Sequence, residues 1–179
     1  MSTLKDDNEQ LFQKTGRAMI WVMWLIVIGL VTLFFNKIVD DQKNPNKDIQ
    51  SSIETDGIKQ VVLIRNRYGH YITDGKINGK KVVFMIDTGA SDISIPLTVA
   101  ERLNLKKGIA IDYETANGLA KSYLTKLASV SIAGIKKYNV RASINPNVNF
   151  DEILLGMSFL KDLEFSQQGK KLIIKQTEN

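Results

Sequence analysis

The sequence predicts an all-β domain with one or two short helices, preceded by a single membrane-spanning helix. Three observations carry that expectation. Residues 18–35 read AMIWVMWLIVIGLVTLFF, with no charge between Arg17 and Lys37. From residue 58 onward, short apolar or alternating runs follow one another with Gly- and Asn-containing turns between them, which is the spacing of strands. Helical periodicity in that region is confined to a short stretch after Pro96, where Leu97, Ala100 and Leu103 share one face, and to the end of EILLGMSFLKDL.

The N-terminal segment, 1–17, is polar and carries Lys14 and Arg17 next to the apolar run. At 1.5 Å per residue, residues 18–35 are long enough to cross most of a hydrocarbon layer roughly 30 Å thick, and Trp21 and Trp24 suit its interface. A buried helix of a soluble domain would keep a polar face, and this one has none. The run is longer than the apolar region of a cleaved signal, and Asn36, Lys37 and Ile38 follow it where small residues would mark a cleavage site. An uncleaved anchor is therefore expected. Lys and Arg near its two ends balance, and the pair Lys14 and Arg17 tips the orientation toward a cytoplasmic N-terminus.

Residues 36–57 are polar and without clear period, so they are expected to be a linker to a domain spanning 58–179. Within that domain IKQVVLIRN, GHYITDGKING and KKVVFMIDTG are three successive strand candidates, and Asn78-Gly79 is a hairpin turn between the last two. Pro96 is placed at the first position of a helix through LTVAERLNL. YETANGLAKSYLTKLASVSIAGIKKYNVRASI reads as further strands, with turns at Asn117-Gly118 and Ala133-Gly134. EILLGMSFLKDL is a buried strand leading into a short helix, and KKLIIKQT closes the chain as a strand.

The basic excess lies in the domain, since residues 1–56 hold six basic and eight acidic side chains and the rest eighteen and eleven, but the pairs Lys80-Lys81, Lys106-Lys107, Lys136-Lys137 and Lys170-Lys171 are scattered and lack interleaved aromatic residues. That arrangement lacks what a nucleic-acid platform needs and reads first as a solvated surface, with weak attraction to anionic lipid headgroups as the second reading. With no cysteine and one histidine, His70, neither a usual zinc site nor a Cys-His pair can be built, and no metal or cofactor is expected. His70 is expected on a half-exposed strand. Asp151-Glu152 reads as a solvated pair, and Phe150, Phe159 and Phe165 read as core.

The stretch KKVVFMIDTGASDISI, residues 80–95, places Asp87 at the end of the apolar run Val82–Ile86. A carboxylate there costs free energy unless it is paired, hydrogen-bonded or protonated. Asp, Thr, Gly and Ser also favour turns, so the tripeptide alone is a weak signal. Its context is stronger, since Ile93 and Ile95 follow it and Ile153-Leu154-Leu155-Gly156 answers it further along.

In those residues the chain resembles the active-site loop of aspartic proteases, and the second apolar strand ending in glycine is similar to the retropepsin pattern. From GHYITDGKING through DTGAS, TANG and LLGMSFL, over about two-thirds of the chain with its anchor, it resembles membrane-anchored bacterial retropepsin-like proteases of clan AA. The resemblance implies a closed β-barrel-like fold and an aspartic endopeptidase, the alternative being a non-catalytic retropepsin-like domain that only dimerises or binds peptides at the membrane. It implies Asp87 as catalytic acid and base, with Thr88, Gly89, Ala90 and Ser91 as its support. Thr115, Ala116, Asn117 and Gly118 look like the flap that closes over substrate. Leu154, Leu155 and Gly156 look like the second motif, and Asp92 is expected to contact substrate or face water. It further implies a domain on the periplasmic side of a bacterial inner membrane.

Two departures stand out. Viral retropepsins carry Asp where this chain has Ser91 and Arg where it has Met157, and those side chains pair; both are replaced here, so no charge is stranded. One DTG loop in a domain of this size also requires a second aspartate from elsewhere. Two chains related by a twofold axis supply it, making a homodimer acting on an extended polypeptide the expected assembly.

Overall fold

The computed structural model describes residues 3–47, 49, 52–53, 58–115 and 118–176. The chain divides into two compact units, one ending at Asp41 and the other beginning at Gln42.

The first unit is helical. Helix α1, Thr3–Lys43, contains a stretch, Met19–Lys43, long and apolar enough to cross a membrane by length and composition, a test that a signal sequence near an N-terminus also passes. Its large apolar side chains between Met19 and Phe35 are exposed, as an all-apolar helical surface outside a protein core must be.

The helix outruns the expected boundary at residue 36. NKIVDDQK, residues 36–43, holds no breaker, and the run stops only where Pro45 disfavours a helical Asn44. The expected linker therefore begins as helix, and its next residues belong to the second unit. Asn44 and Asn46 are buried, and Asn46 forms an isolated bridge with Thr73. The Asn46 side chain donates to the carbonyls of Ile64 and Ile72 at 2.8 and 2.7 Å and accepts from the Ile64 N–H at 2.6 Å. A buried amide with these bonds acts as a strand-like plug between two segments of backbone.

The second unit is mostly β. Strands β1 (Ser52–Ile53), β2 (Lys59–Ile64), β10 (Glu164–Gln168) and β11 (Lys171–Gln176) form a four-stranded sheet in the order β1-β2-β11-β10. The remaining strands are β3 (Ile72–Ile77), β4 (Lys80–Ile86), β5 (Ile93–Pro96), β6 (Ala110–Thr115), β7 (Gly118–Ile132), β8 (Ile135–Asn145) and β9 (Ile153–Leu155). Their order is β3-β4-β9-β5-β8-β7-β6, and a β3–β7 pairing closes six of them into a barrel, with β6 paired, among the described residues, to β7 alone. This is a closed β barrel, as the sequence predicts.

Alternation explains the core. Along β8, Val140, Ala142 and Ile144 turn inward while Arg141 and Asn145 lie on the opposite face with Ser143. Ile93, Ile95, Phe84, Ile153 and Leu155 join them in one buried cluster. Tight turns set the registers. Ile77 pairs with Lys80 across Asn78 and Gly79, whose φ values of 51° and 82° are those of a type I′ turn.

Helix α2, Leu97–Leu103, buries Val99, Ala100 and Leu103, and Pro96 sits just before its first residue instead of on it. Helix α3 is Met157–Leu160. Other expectations need correcting. His70 is an exposed loop residue outside any strand, before β3, and of the three phenylalanines only Phe159 is core, with Phe150 and Phe165 exposed. Strand β10 was not foreseen because EFSQQ is exposed throughout and carries no apolar alternation.

Candidate active site

Asp87 follows directly on β4, which runs parallel to β9 with Ile86 opposite Leu155. Its N–H donates to the Leu155 carbonyl at 3.2 Å, so the β9 strand fixes where the loop leaves the barrel. The side chain is half-buried, and the Gly89 N–H donates to its Oδ1 at 2.9 Å. A backbone donor aimed at one carboxylate oxygen is a charge-assisted contact that fixes the carboxylate plane. Gly89 is close to that oxygen, since a Cβ there would sit 3.2 Å from Oδ1.

The rest of the loop is clamped through its backbone. Met157 N–H donates to the Ala90 carbonyl at 2.8 Å, and Ser158 N–H to the Ser91 carbonyl at 2.9 Å. The Ser158 hydroxyl in turn accepts from the Ile93 N–H at 3.0 Å. Gly156 makes this approach possible, because a Cβ there would meet the Ala90 carbonyl at 2.5 Å and collide with that of Asp92. Leu154-Leu155-Gly156 thus packs against the loop. Hydroxyl support from Thr88 and Ser91 is not what the geometry presents. Both residues are exposed, and Asp87 is held by backbone N–H and by Gly89.

Asp92 also departs from expectation. It is 8% exposed, and its Oδ2 accepts from the Tyr113 hydroxyl and, at 3.0 Å, from Arg141 Nε. Its carboxylate is thus engaged by two side chains of the barrel face. Desolvation and then the contact with Asp92 push the Tyr113 phenol above its ordinary range, so it remains a proton donor at neutral pH. Tyr113, Arg141 and Ser158 were missed in the sequence. For Arg141 a signal existed, since the alternation of VRASIN puts Arg141, Ser143 and Asn145 on the face opposite the core.

A cleft of about 380 Å³ opens at Asp87, with Ser94, Tyr113, Ser122, Ser143, Asn145 and Leu154 among its lining residues. The β6–β7 hairpin borders it through Tyr113 and Glu114, and Thr115 pairs with Gly118 at its end. Ala116 and Asn117, the expected flap tip, lie outside the described residues. No group of three or more His, Cys, Asp and Glu side chains that could hold a metal occurs among the described residues.

Comparison with known proteins agrees with this geometry. Residues 73–162 match the family described as "gag-polyprotein putative aspartyl protease". A retropepsin-like aspartic protease from Rickettsia conorii superimposes with a TM-score of 0.56 at 33% identity, over 70% of this chain and 95% of that one. A Sinorhizobium protein encoded in the cobV 5′ region is 34% identical over 117 residues, 64% of this chain and 50% of its own length. An uncharacterised protein of Rickettsia prowazekii is 33% identical over 120 residues, 65% of this chain and 51% of its own. The chain thus spans about half the length of these curated relatives. A carboxylate loop clamped on a parallel strand pair, in a six-stranded barrel that superimposes on a bacterial member, places this chain in the family of retropepsin-like aspartic proteases.

Proposed function

We propose that this protein is a membrane-anchored aspartic endopeptidase that works as a homodimer, with Asp87 of each chain contributing one carboxylate to a shared site. The observation that carries the reading is the Asp87 loop itself. It presents one oriented carboxylate to a cleft, and the exposed Thr88 and Gly89 beside it leave room for a second chain. A twofold axis passing the loop would bring its own copy opposite.

Two carboxylates a few ångströms apart cannot both ionise cheaply, so the pair holds one proton between them. The ionised member takes a proton from a water whose oxygen attacks the scissile carbonyl carbon, and the carbonyl oxygen takes up the proton of the other. Collapse of the tetrahedral gem-diol breaks the C–N bond as the amide nitrogen receives a proton from the pair and one diol hydroxyl gives its proton back to the pair. The products are a carboxyl and an amine, and the pair returns to one shared proton. An extended peptide would lie between the hairpin and the floor of the cleft, bound by strand-like hydrogen bonds.

The anchor is residues 18–35, extended by the observed helix. Lys14 and Arg17 support a cytoplasmic N-terminus and a domain on the periplasmic side of the inner membrane, consistent with bacterial relatives. Protease added to spheroplasts should then digest the domain before the membrane is opened. The activity is tested by incubating the detergent-solubilised chain with a mixed peptide library at several pH values. Cleavage that disappears in Asp87→Asn, with the fold retained, is expected. A folded chain that cuts nothing, or an asparagine variant that cuts as well as wild type, contradicts the reading.

A further inference from the structure

Strand β6 is the loose arm of the barrel's hairpin. Among the described residues it pairs with β7 alone, and no described strand lies beside its other edge. Its tie to the catalytic loop is made by a side chain, the Tyr113 hydroxyl donating to Asp92 Oδ2. Asp92 is a firm post for that tie. It is buried, the Arg141 guanidinium from β8 donates to the same oxygen at 3.0 Å, and its backbone carbonyl is packed against Gly156. One carboxylate oxygen therefore joins three pieces of chain: the hairpin arm, the residue after the Asp87 loop, and the cleft face of β8.

The geometry points to Tyr113 as a positioning residue for proteolysis, its hydroxyl gripping the Arg141-held carboxylate of Asp92 to set the height of the β6–β7 hairpin over Asp87. The inference rests on the proposed protease function. Tyr113 lies on the hairpin and lines the same cleft as Asp87. Without the hydroxyl the ring still packs, but the arm loses its attachment to the floor. A hairpin that must be pulled down by each substrate weakens substrate binding in the ground and transition states alike. The signature is a raised KM at nearly constant kcat.

The test uses Tyr113→Phe in the full-length chain in detergent, with two readouts. On a peptide cleaved by wild type, KM should rise about tenfold while kcat changes by less than about twofold, the loss of one charge-assisted hydrogen bond. The second readout does not depend on activity. The chain has no cysteine, and Leu119, just past the hairpin turn, is 81% exposed, so a nitroxide on Leu119→Cys reports hairpin motion. Its spectrum should become more mobile in Tyr113→Phe and again in Asp92→Asn, where Arg141 loses its ionic partner. Unchanged mobility, or unchanged KM in a variant of wild-type thermal stability, overturns the role of Tyr113 and leaves the protease reading intact. A wild-type chain that cleaves nothing overturns the protease reading, and the positioning role falls with it even where the label is released.

Discussion

Replacing Asn46 by alanine should lower the stability of the β unit far more than a polar residue before a domain ordinarily would. Asn46 is 0% exposed, and its side chain makes two donor contacts, to Ile64 and Ile72 carbonyls, and one acceptor contact, from Ile64 N–H. Each such bond contributes about 1 kcal/mol net, and a buried group left without a partner costs at least as much. Ile64 is partly exposed and can recover water, whereas Ile72 is buried and cannot, so a loss of about 3 kcal/mol is expected. For a unit of this size that corresponds to a fall in Tm of about 10 °C. Asn46→Asp should be worse, because a carboxylate can only accept and would face two carbonyls. The assay is thermal unfolding, followed by circular dichroism, of a fragment starting at Gln42, where the second unit begins. A fragment starting at residue 58 lacks Asn46 and should melt lower still. A fall of less than about 1 °C in Asn46→Ala would show that the plug is incidental to folding.

Gly156→Ala should destabilise the same unit by about 3 kcal/mol, because its Cβ would meet the Ala90 and Asp92 carbonyls and neither backbone can retreat without releasing the Asp87 loop. Proteolysis should fall with it, and a variant with wild-type Tm and activity would contradict the packing argument. The Lys137–Asp162 pair, at 2.6 Å, sets a pH dependence. The hydrogen bond from Lys137 holds the Asp162 carboxyl below its ordinary range. Its contribution is therefore present above the unfolded value near pH 4 and is lost as pH falls through the lower folded value. The Tm difference between wild type and Asp162→Asn should exist at neutral pH and vanish at about pH 2. A difference independent of pH would assign the effect to something other than the pair.

Much of the barrel was legible because its signals are local. Asn78-Gly79 must adopt left-handed backbone to turn a hairpin, and the alternation of VRASIN fixes which side of β8 meets the core. The Asp87 loop was read through its resemblance to aspartic protease loops, which rests on an acid at the end of an apolar strand answered by a second apolar strand ending in glycine. What escaped was set by tertiary contacts. Asn44 and Asn46 have linker composition, and only the unfilled backbone groups of Ile64 and Ile72 make Asn46 a core residue. Asp92 read as a surface acid because its partners, Tyr113 and Arg141, are distant in sequence. Thr88 and Ser91 were credited with holding Asp87, but backbone N–H groups do that work, and composition cannot reveal a backbone donor.

The central claim is that two chains build one site, and a covalently linked tandem dimer carrying Asp87→Asn in a single half measures it most directly. An asparagine cannot share the proton that couples the pair, so this tandem should retain almost no peptide-bond cleavage while the unmodified tandem is fully active. Retention of about half the unmodified activity, the value for two halves acting independently, would contradict the shared site.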